Sequence, residues 1–278
     1  MFLLLPFVLA CATTKALPAP APVVPLAGAV EAAATATNPF TVAELAAGLP
    51  LGTRIRLRFT TPDGKAVEEQ WLFLAVDEKG AYILSETLVQ AGAAPGARSV
   101  AYSSWAELHT HADFPAASTT VEAGTLDSPV GKLDSWLYTV TEGDTVKRLT
   151  FLAKQPGPPV LFTQTVAGVE TSRMEVLERT VTAGTALPAF MRAEAVERVK
   201  PEFPEGLKSG GVHEGSCGLH LAIDVSGAVT EATVRECDAG TEASTVEAAL
   251  KWRFKPATLD GVAVASEFDT NFVFKLSP

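Results

Sequence analysis

The chain has 278 residues, 47% of them hydrophobic and 19% charged, and a formal net charge of −10. That length suits about two domains of roughly 100–200 residues each, and the apolar content excludes a globally disordered chain. The acidic balance excludes nucleic-acid binding through Lys/Arg stripes and docking on anionic lipid through a basic patch, and no apolar run reaches the roughly 20 residues of a membrane-spanning helix.

Residues 2–10 read FLLLPFVLA and precede Cys11. A short apolar run ending in small residues is the middle part of a secretory signal. Val8-Leu9-Ala10-Cys11 resembles the lipobox of bacterial lipoproteins. That resemblance implies removal of residues 1–10 as a signal peptide and acylation of Cys11 on the periplasmic side of the cell envelope. Ala12 rather than Asp follows, which by the same resemblance points to the outer membrane. An ordinary cleaved signal, or a short interfacial anchor, would leave Cys11 incidental. Residues 11–39 continue as a lipidated N-terminus and a Pro/Ala-rich linker. In polyproline II it reaches about 3.1 Å per residue and holds the folded part off the membrane. With Cys11 assigned to acylation, Cys217 and Cys237 remain as an even pair, which an oxidising periplasm lets bridge. The competing reading is a metal site with His213 and His220.

Residues 40–180 read as an antiparallel β domain of no recognised family. Thr41-Val42-Ala43-Glu44 is a capping box ahead of a short helix. Period-two strands follow at Thr53–Thr61, Val67–Val76 and Ala81–Val89, separated by Pro62-Asp63-Gly64-Lys65 and Asp77-Glu78-Lys79-Gly80. Residues 90–97 read as loop, and Ser104-Trp105-Ala106-Glu107 caps a second helix ending near Ala112. Strands are then expected at Thr119–Thr125, Leu133–Thr141, Thr145–Ala153, Val160–Val166 and Glu170–Leu177. This spacing suggests a meander that curls into a barrel or half-barrel to hide its edges. Residues 181–198 form a junction with a short helix over Ala189–Arg198.

Residues 199–278 form a second domain. Leu219, Leu221 and Ile223 alternate with polar residues, Ser226-Gly227 turns the chain, and Val229–Glu236 returns. With Val225 opposite Ala228, Cys217 faces Glu236; a one-residue bulge brings Cys237 opposite Cys217 and lets the pair staple the hairpin. Ser244-Thr245-Val246-Glu247 reads as a capping box, starting a helix that places Val246, Ala249, Leu250 and Phe254 on one face. The last strand alternates Phe268, Thr270, Phe272 and Phe274 with Asp269, Asn271 and Val273.

The order strand, strand, helix, strand resembles the TonB C-terminal family. Phe203-Pro204, Asp224-x-x-Gly227-x-Val229, Trp252-Arg253-Phe254-Lys255-Pro256-Ala257, Asp260-Gly261-x-x-Val264 and Phe272-Val273-Phe274 carry the resemblance, which spans residues 199–276. It implies a small α+β fold with a three-stranded antiparallel sheet. It also implies an envelope partner, such as the periplasmic peptide of an outer-membrane transporter, bound by adding a strand to a sheet edge. The peptide-binding edge would be the last strand: Phe268, Asp269, Thr270, Asn271, Phe272, Val273 and Phe274.

No residues stand in a catalytic pattern, and neither an enzyme nor a cofactor is expected. His109, His111 and Asp113 form a polar cluster, but two residues apart on a helix diverge by about 200°, so a solvated helix end is expected rather than a metal site. Ser216-Cys217-Gly218 and Gly210-Gly211 lack the strand–loop–helix context of a nucleophile or phosphate loop. Trp71, Trp105 and Trp136 read as core. The fold expected is therefore mainly β, a meander followed by a small β-β-α-β domain. The function expected is that of an exported lipoprotein whose second domain binds other envelope proteins. Alternatives are an apolar ligand or lipid carrier built on the 40–180 domain, and a TonB-type energy transducer.

Overall fold

The computed structural model describes residues 24–25, 38–88, 96–128, 131–182, 187–204 and 214–275. Cys11, the signal sequence, Gly210-Gly211 and His213 lie outside them. No helix among the described residues is long and apolar enough to cross a membrane.

Among the described residues, seventeen strands and three α-helices follow in order: β1 (Val24–Pro25), α1 (Val42–Gly48), β2 (Thr53–Thr60), β3 (Ala66–Val76), β4 (Gly80–Leu88), β5 (Arg98–Ser104), α2 (Trp105–Thr110), β6 (Thr119–Ser128), β7 (Gly131–Glu142), β8 (Thr145–Leu152), β9 (Leu161–Val166), β10 (Val169–Val181), β11 (Phe190–Met191), β12 (Glu194–Glu197), β13 (Glu214–Ile223), β14 (Val229–Cys237), α3 (Glu242–Leu250), β15 (Arg253–Lys255), β16 (Ala257–Leu259) and β17 (Val262–Lys275). The chain is mainly β, with the small α+β arrangement at its C-terminal end, as expected.

Local chemistry explains the early elements. Glu44 N–H donates to Thr41 Oγ1 at 3.2 Å while Thr41 N–H donates to Glu44 Oε2 at 2.8 Å, so the first capping box closes in both directions. Ser104 and Glu107 do the same for α2. The meander strands fall where the period-two pattern places them, give or take a few residues at their ends.

The compact units do not follow the expected 40–180 and 199–278 division. Of the described residues, one comprises 24–25, 38–39 and those within 57–68 and 112–177; the other comprises those within 40–56, 69–111 and 178–275. The first unit carries the antiparallel run β6-β7-β8-β9-β10, with β1 against β6 through Val24 and Thr125. One face of this run buries Tyr138, Val140, Leu149, Phe151 and Met174. Tyr138 meets Phe151 edge-on at 5.4 Å and Phe114 at 5.7 Å. Trp136, expected in the core, is 38% exposed.

In the second unit the strand order is β3-β4-β5-β17-β13-β14. The physical reason for the regrouping is a single apolar core. Leu72, Leu74, Leu84 and Val100 from β3, β4 and β5 are buried together with Leu219, Leu221, Ile223, Ala249, Trp252, Phe254, Phe272 and Phe274. The hydrophobic effect is non-directional and does not respect sequence blocks.

Three local expectations are corrected here. The 189–198 segment is not helical: β11 pairs with β16 and β12 pairs with β15, whose unpaired backbone groups it satisfies. Helix α3 begins at Glu242 with Thr241 before it, not after a Ser244 cap, and Thr245 Oγ1 donates to Thr241 O at 2.6 Å. It ends at Leu250, so Phe254 reaches the core from β15 rather than from the helix. Finally, residues 98–104, for which no strand is expected, form β5.

Candidate functional site

The family-like residues of the C-terminal region each hold one piece of a frame around β17. Asp224 Oδ1 accepts from Ser226 Oγ at 2.6 Å, from Ser226 N–H at 2.8 Å and from Ala228 N–H at 3.0 Å. These bonds, led by that of the Ser226 hydroxyl, hold its carboxyl below the usual range and lock the β13–β14 turn. Gly227 follows with φ +84°, and a Cβ there would lie 1.9 Å from the Phe254 carbonyl oxygen, so only glycine fits. That close approach lets Phe254 N–H donate to Gly227 O at 2.8 Å and ties the turn to β15. Trp252 donates its indole N–H to Val199 O at 2.9 Å, packs on Phe272 at 5.0 Å, and lies under the Arg198 guanidinium at 5.4 Å. Phe203 meets Phe274 edge-on at 5.9 Å. Asp260 Oδ1 accepts from Ala189 N–H at 2.8 Å, pinning the junction to the β16–β17 turn.

The hairpin register is as the sequence requires at its open end. Cys217 pairs with Cys237 across β13 and β14 and the two are disulfide-bonded. Two register shifts, which leave Thr230 and Arg235 as the extra residues, replace the single bulge expected. The thiolate alternative is thereby corrected, since each sulfur is bonded to the other. Ser216 N–H donates to Asp238 Oδ2 at 2.7 Å beside the staple.

Strand β17 pairs antiparallel with β13 from Ser266 opposite Ile223 to Lys275 opposite Glu214. This register sends Phe272 and Phe274 into the core, with Phe268 packed against it, and leaves Asp269, Asn271 and Val273 exposed on the other face. The strand is not outermost, as the Phe268–Phe274 edge was expected to be: the order places it between β13 and β5, and β14 is the outer strand. The reason is β5, which runs parallel to β17 with Ser99 opposite Ala265 and Val100 opposite Ser266. Past Ser266 the sheet forks. β5 stays with β4, where seven registered pairs run from Gly80–Ser104 to Glu86–Arg98, while β17 stays with β13. Among the described residues no strand is registered against the flank of β17 facing away from β13 beyond Ser266.

At the mouth of this fork lies a charge cluster. His220 on β13 is directly opposite Asp269, and its Nδ1 is 2.8 Å from Asp269 Oδ1 while its Nε2 is 3.2 Å from Glu267 Oε2. The bond to Asp269, then that to Glu267, outweighs burial and pushes the imidazole up to about 9. With both ring nitrogens protonated, each donates to one carboxylate. Arg235 Nη2 lies 3.8 Å from the same Asp269 oxygen; its 3.2 Å approach to His220 Nδ1 is then a contact between two cations, not a hydrogen bond. Burial alone would raise Asp269, but the His220 bond and the two positive charges win and its carboxyl is held low.

Linkage turns the His220 shift into a prediction. Its folded value exceeds the unfolded value near 6.5, so the cluster's contribution is full below about pH 6.5 and lost as pH rises through about 9. After allowing for solvent screening of the half-exposed Asp269, roughly 2 kcal/mol is expected to disappear across that window. Urea unfolding of wild type against His220→Gln checks this: the variant should show no such slope, and a wild-type stability flat from pH 6.5 to 9.5 would contradict it.

The polar cluster at the end of α2 is placed differently from a metal site. His109 lies in the helix's last turn, His111 follows it with burial holding its imidazole low, and Asp113 accepts from Asn38 Nδ2 at 3.1 Å. Among the described residues no group of three His, Cys, Asp or Glu is placed to hold a metal ion.

Sequence reasoning missed two parts of the site. β5 is Ser-rich and lies between a loop signal and a helix cap, so its own pattern is faint; only the buried Val100 marks it. His220, weighed as a metal ligand, becomes a carboxylate partner once the register with β17 is known.

Residues 199–276 match the family model described as the Gram-negative bacterial TonB protein C-terminal. No curated protein matches the chain.

Proposed function

We propose, from the TonB C-terminal match over residues 199–276, that the protein is an exported lipoprotein, anchored through Cys11, that binds an envelope protein by strand addition along β17. The observation that carries this reading is the flank of β17 beyond Ser266. A ten-pair ladder to β13 holds the strand rigidly extended, while its other flank has no strand registered against it there among the described residues. Unpaired N–H and C=O groups on such a flank give affinity, and exposed Asn271 and Val273 beside them contact the added strand's side chains. The partner class that fits is an extended periplasmic segment of an outer-membrane protein. The core that supports β17 includes β3, β4 and β5, so the meander's first strands serve as scaffold for the binding strand. The carrier alternative draws no support from the first unit, where the buried Tyr138 and Phe151 pack on each other.

Photo-crosslinking from position Val273 in living cells tests the reading. A periplasmic segment of an outer-membrane protein is the expected adduct, lost with Asn271→Pro or Thr270→Pro, one of which must remove an N–H from the free flank. Unchanged adducts in both proline variants would refute strand addition. Palmitate labelling, abolished by Cys11→Ser, is the expected result for the anchor.

A further inference from the structure

The fork between β5 and β17 has a consequence for how that flank is regulated. We propose that β5 is a built-in competitor for the strand-addition site: it occupies the flank of β17 at Ala265 and Ser266, and a foreign strand gains the full flank only when this bridge opens. The inference rests on the strand-addition reading above.

Three observations carry it. First, the hold is small and separable. β5 is registered with β17 at two positions but with β4 at seven, so releasing the first leaves β5 seated in its own hairpin. Second, Ala265 is registered with Ser99 alone. The ladder to β13 begins at Ser266 and the ladder to β16 ends at Val264, so opening at Ala265 breaks neither. Third, the junction carries an unpaired side-chain group. The Ser266 hydroxyl is buried, 5% exposed, and has no hydrogen-bond partner among the described residues. Buried polar groups are ordinarily paired, and an unpaired one at a junction marks a place held together at a cost. β5 fills the flank of β17 at Ala265 and Ser266, so an added strand of either polarity meets β5 there. The short contact at the start of the strand thus sets where an added strand must stop while the bridge is closed.

The energetic form is a conformational tax: apparent affinity falls by the fraction of molecules whose bridge is open. Two variants of the full chain, both in a Cys11→Ser background, move that fraction in opposite directions. Ser99→Cys with Ala265→Cys, oxidised, locks the bridge; Ala265→Pro places a rigid ring at a registered position of the bridge and loosens it. Binders are selected on the unmodified chain from a displayed library of random dodecapeptides, and their contacts are mapped by hydrogen exchange. The expected result is binding weakened about tenfold or more by the lock and strengthened several-fold by Ala265→Pro, with faster exchange at Ser99–Ala101 when peptide is bound. If peptides protect β17 but bind all three forms equally, β5 is a fixed wall, the competitor is overturned and strand addition stands. If no peptide protects β17 in any form, strand addition fails and the competitor falls with it. Should the cross-link not form, the proline variant alone decides: no gain in affinity overturns the proposal.

Discussion

Leu84→Ala should destabilise the C-terminal sheet by about 2–5 kcal/mol, although Leu84 lies far upstream of residues 199–276. The side chain is 2% exposed on β4 and belongs to the same buried cluster as Leu219, Leu221, Phe254 and Phe272. Truncation removes its transfer free energy and leaves a cavity that the surrounding strands fill only in part. Urea unfolding gives the magnitude, and hydrogen exchange locates it. Amides of β13 and β17 should lose protection together with those of β3 and β4, because one core opens as one unit. Loss confined to β3–β5, with β13 unmoved, would mean two cores and would contradict the shared one. The same logic bears on any excised fragment. A chain beginning at residue 199 lacks Leu72, Leu74, Leu84 and Val100, and exposes the apolar surface they cover.

The second large effect is that of the staple. Cys217 and Cys237 close a loop with a sequence separation of 20 at the end of the β13–β14 hairpin. Chain-entropy reasoning for a loop of that size gives about 3 kcal/mol. Cys217→Ser with Cys237→Ser should therefore unfold at lower urea by that amount, with fraying of the strand ends near Ser216 and Asp238. The fraying matters for function. Cys217 is also opposite Phe272, so the staple steadies the half of β17 that lies beyond the fork. Alkylation of both thiols in the unreduced wild type would show that no bridge forms. A variant as stable as wild type would show that the hairpin does not need one.

How much of the site was legible follows from the range of the interactions involved. The hairpin, its approximate register and the Cys217–Cys237 pair could be counted across the Ser226-Gly227 turn, because antiparallel neighbours joined by a tight turn have few ways to align. The alternation from Phe268 to Phe274 correctly sorted core residues from exposed ones, since a strand's period is two whatever lies beside it. The helix was harder. Ser244 and Glu247 have the spacing of a capping box, yet α3 starts earlier and Thr245 is buried, so packing overrode a local signal. The 189–198 segment failed for a related reason: its few apolar residues fit a helical stripe, but the open edges of β15 and β16 offered backbone partners.

What this sequence determined by itself is everything encoded within a few residues. The two reciprocal capping boxes, the Asp224–Gly227 turn, the alternating strands and the family-like Trp252–Ala257 string are all of that kind. Each depends on side chains acting on backbone within a turn or two of the chain. What only the tertiary structure decided is which distant strands became neighbours. Nothing in RSVAYSS announces that it will lie beside Ala265, because the backbone groups that make the contact are the same in every residue. The choice was made by burial: Val100 and Leu84 found the same core as Phe272, and the strands that carry them were brought into line. That single placement converted the last strand from an outer edge into one side of a fork, and so decided how much of it a partner can reach.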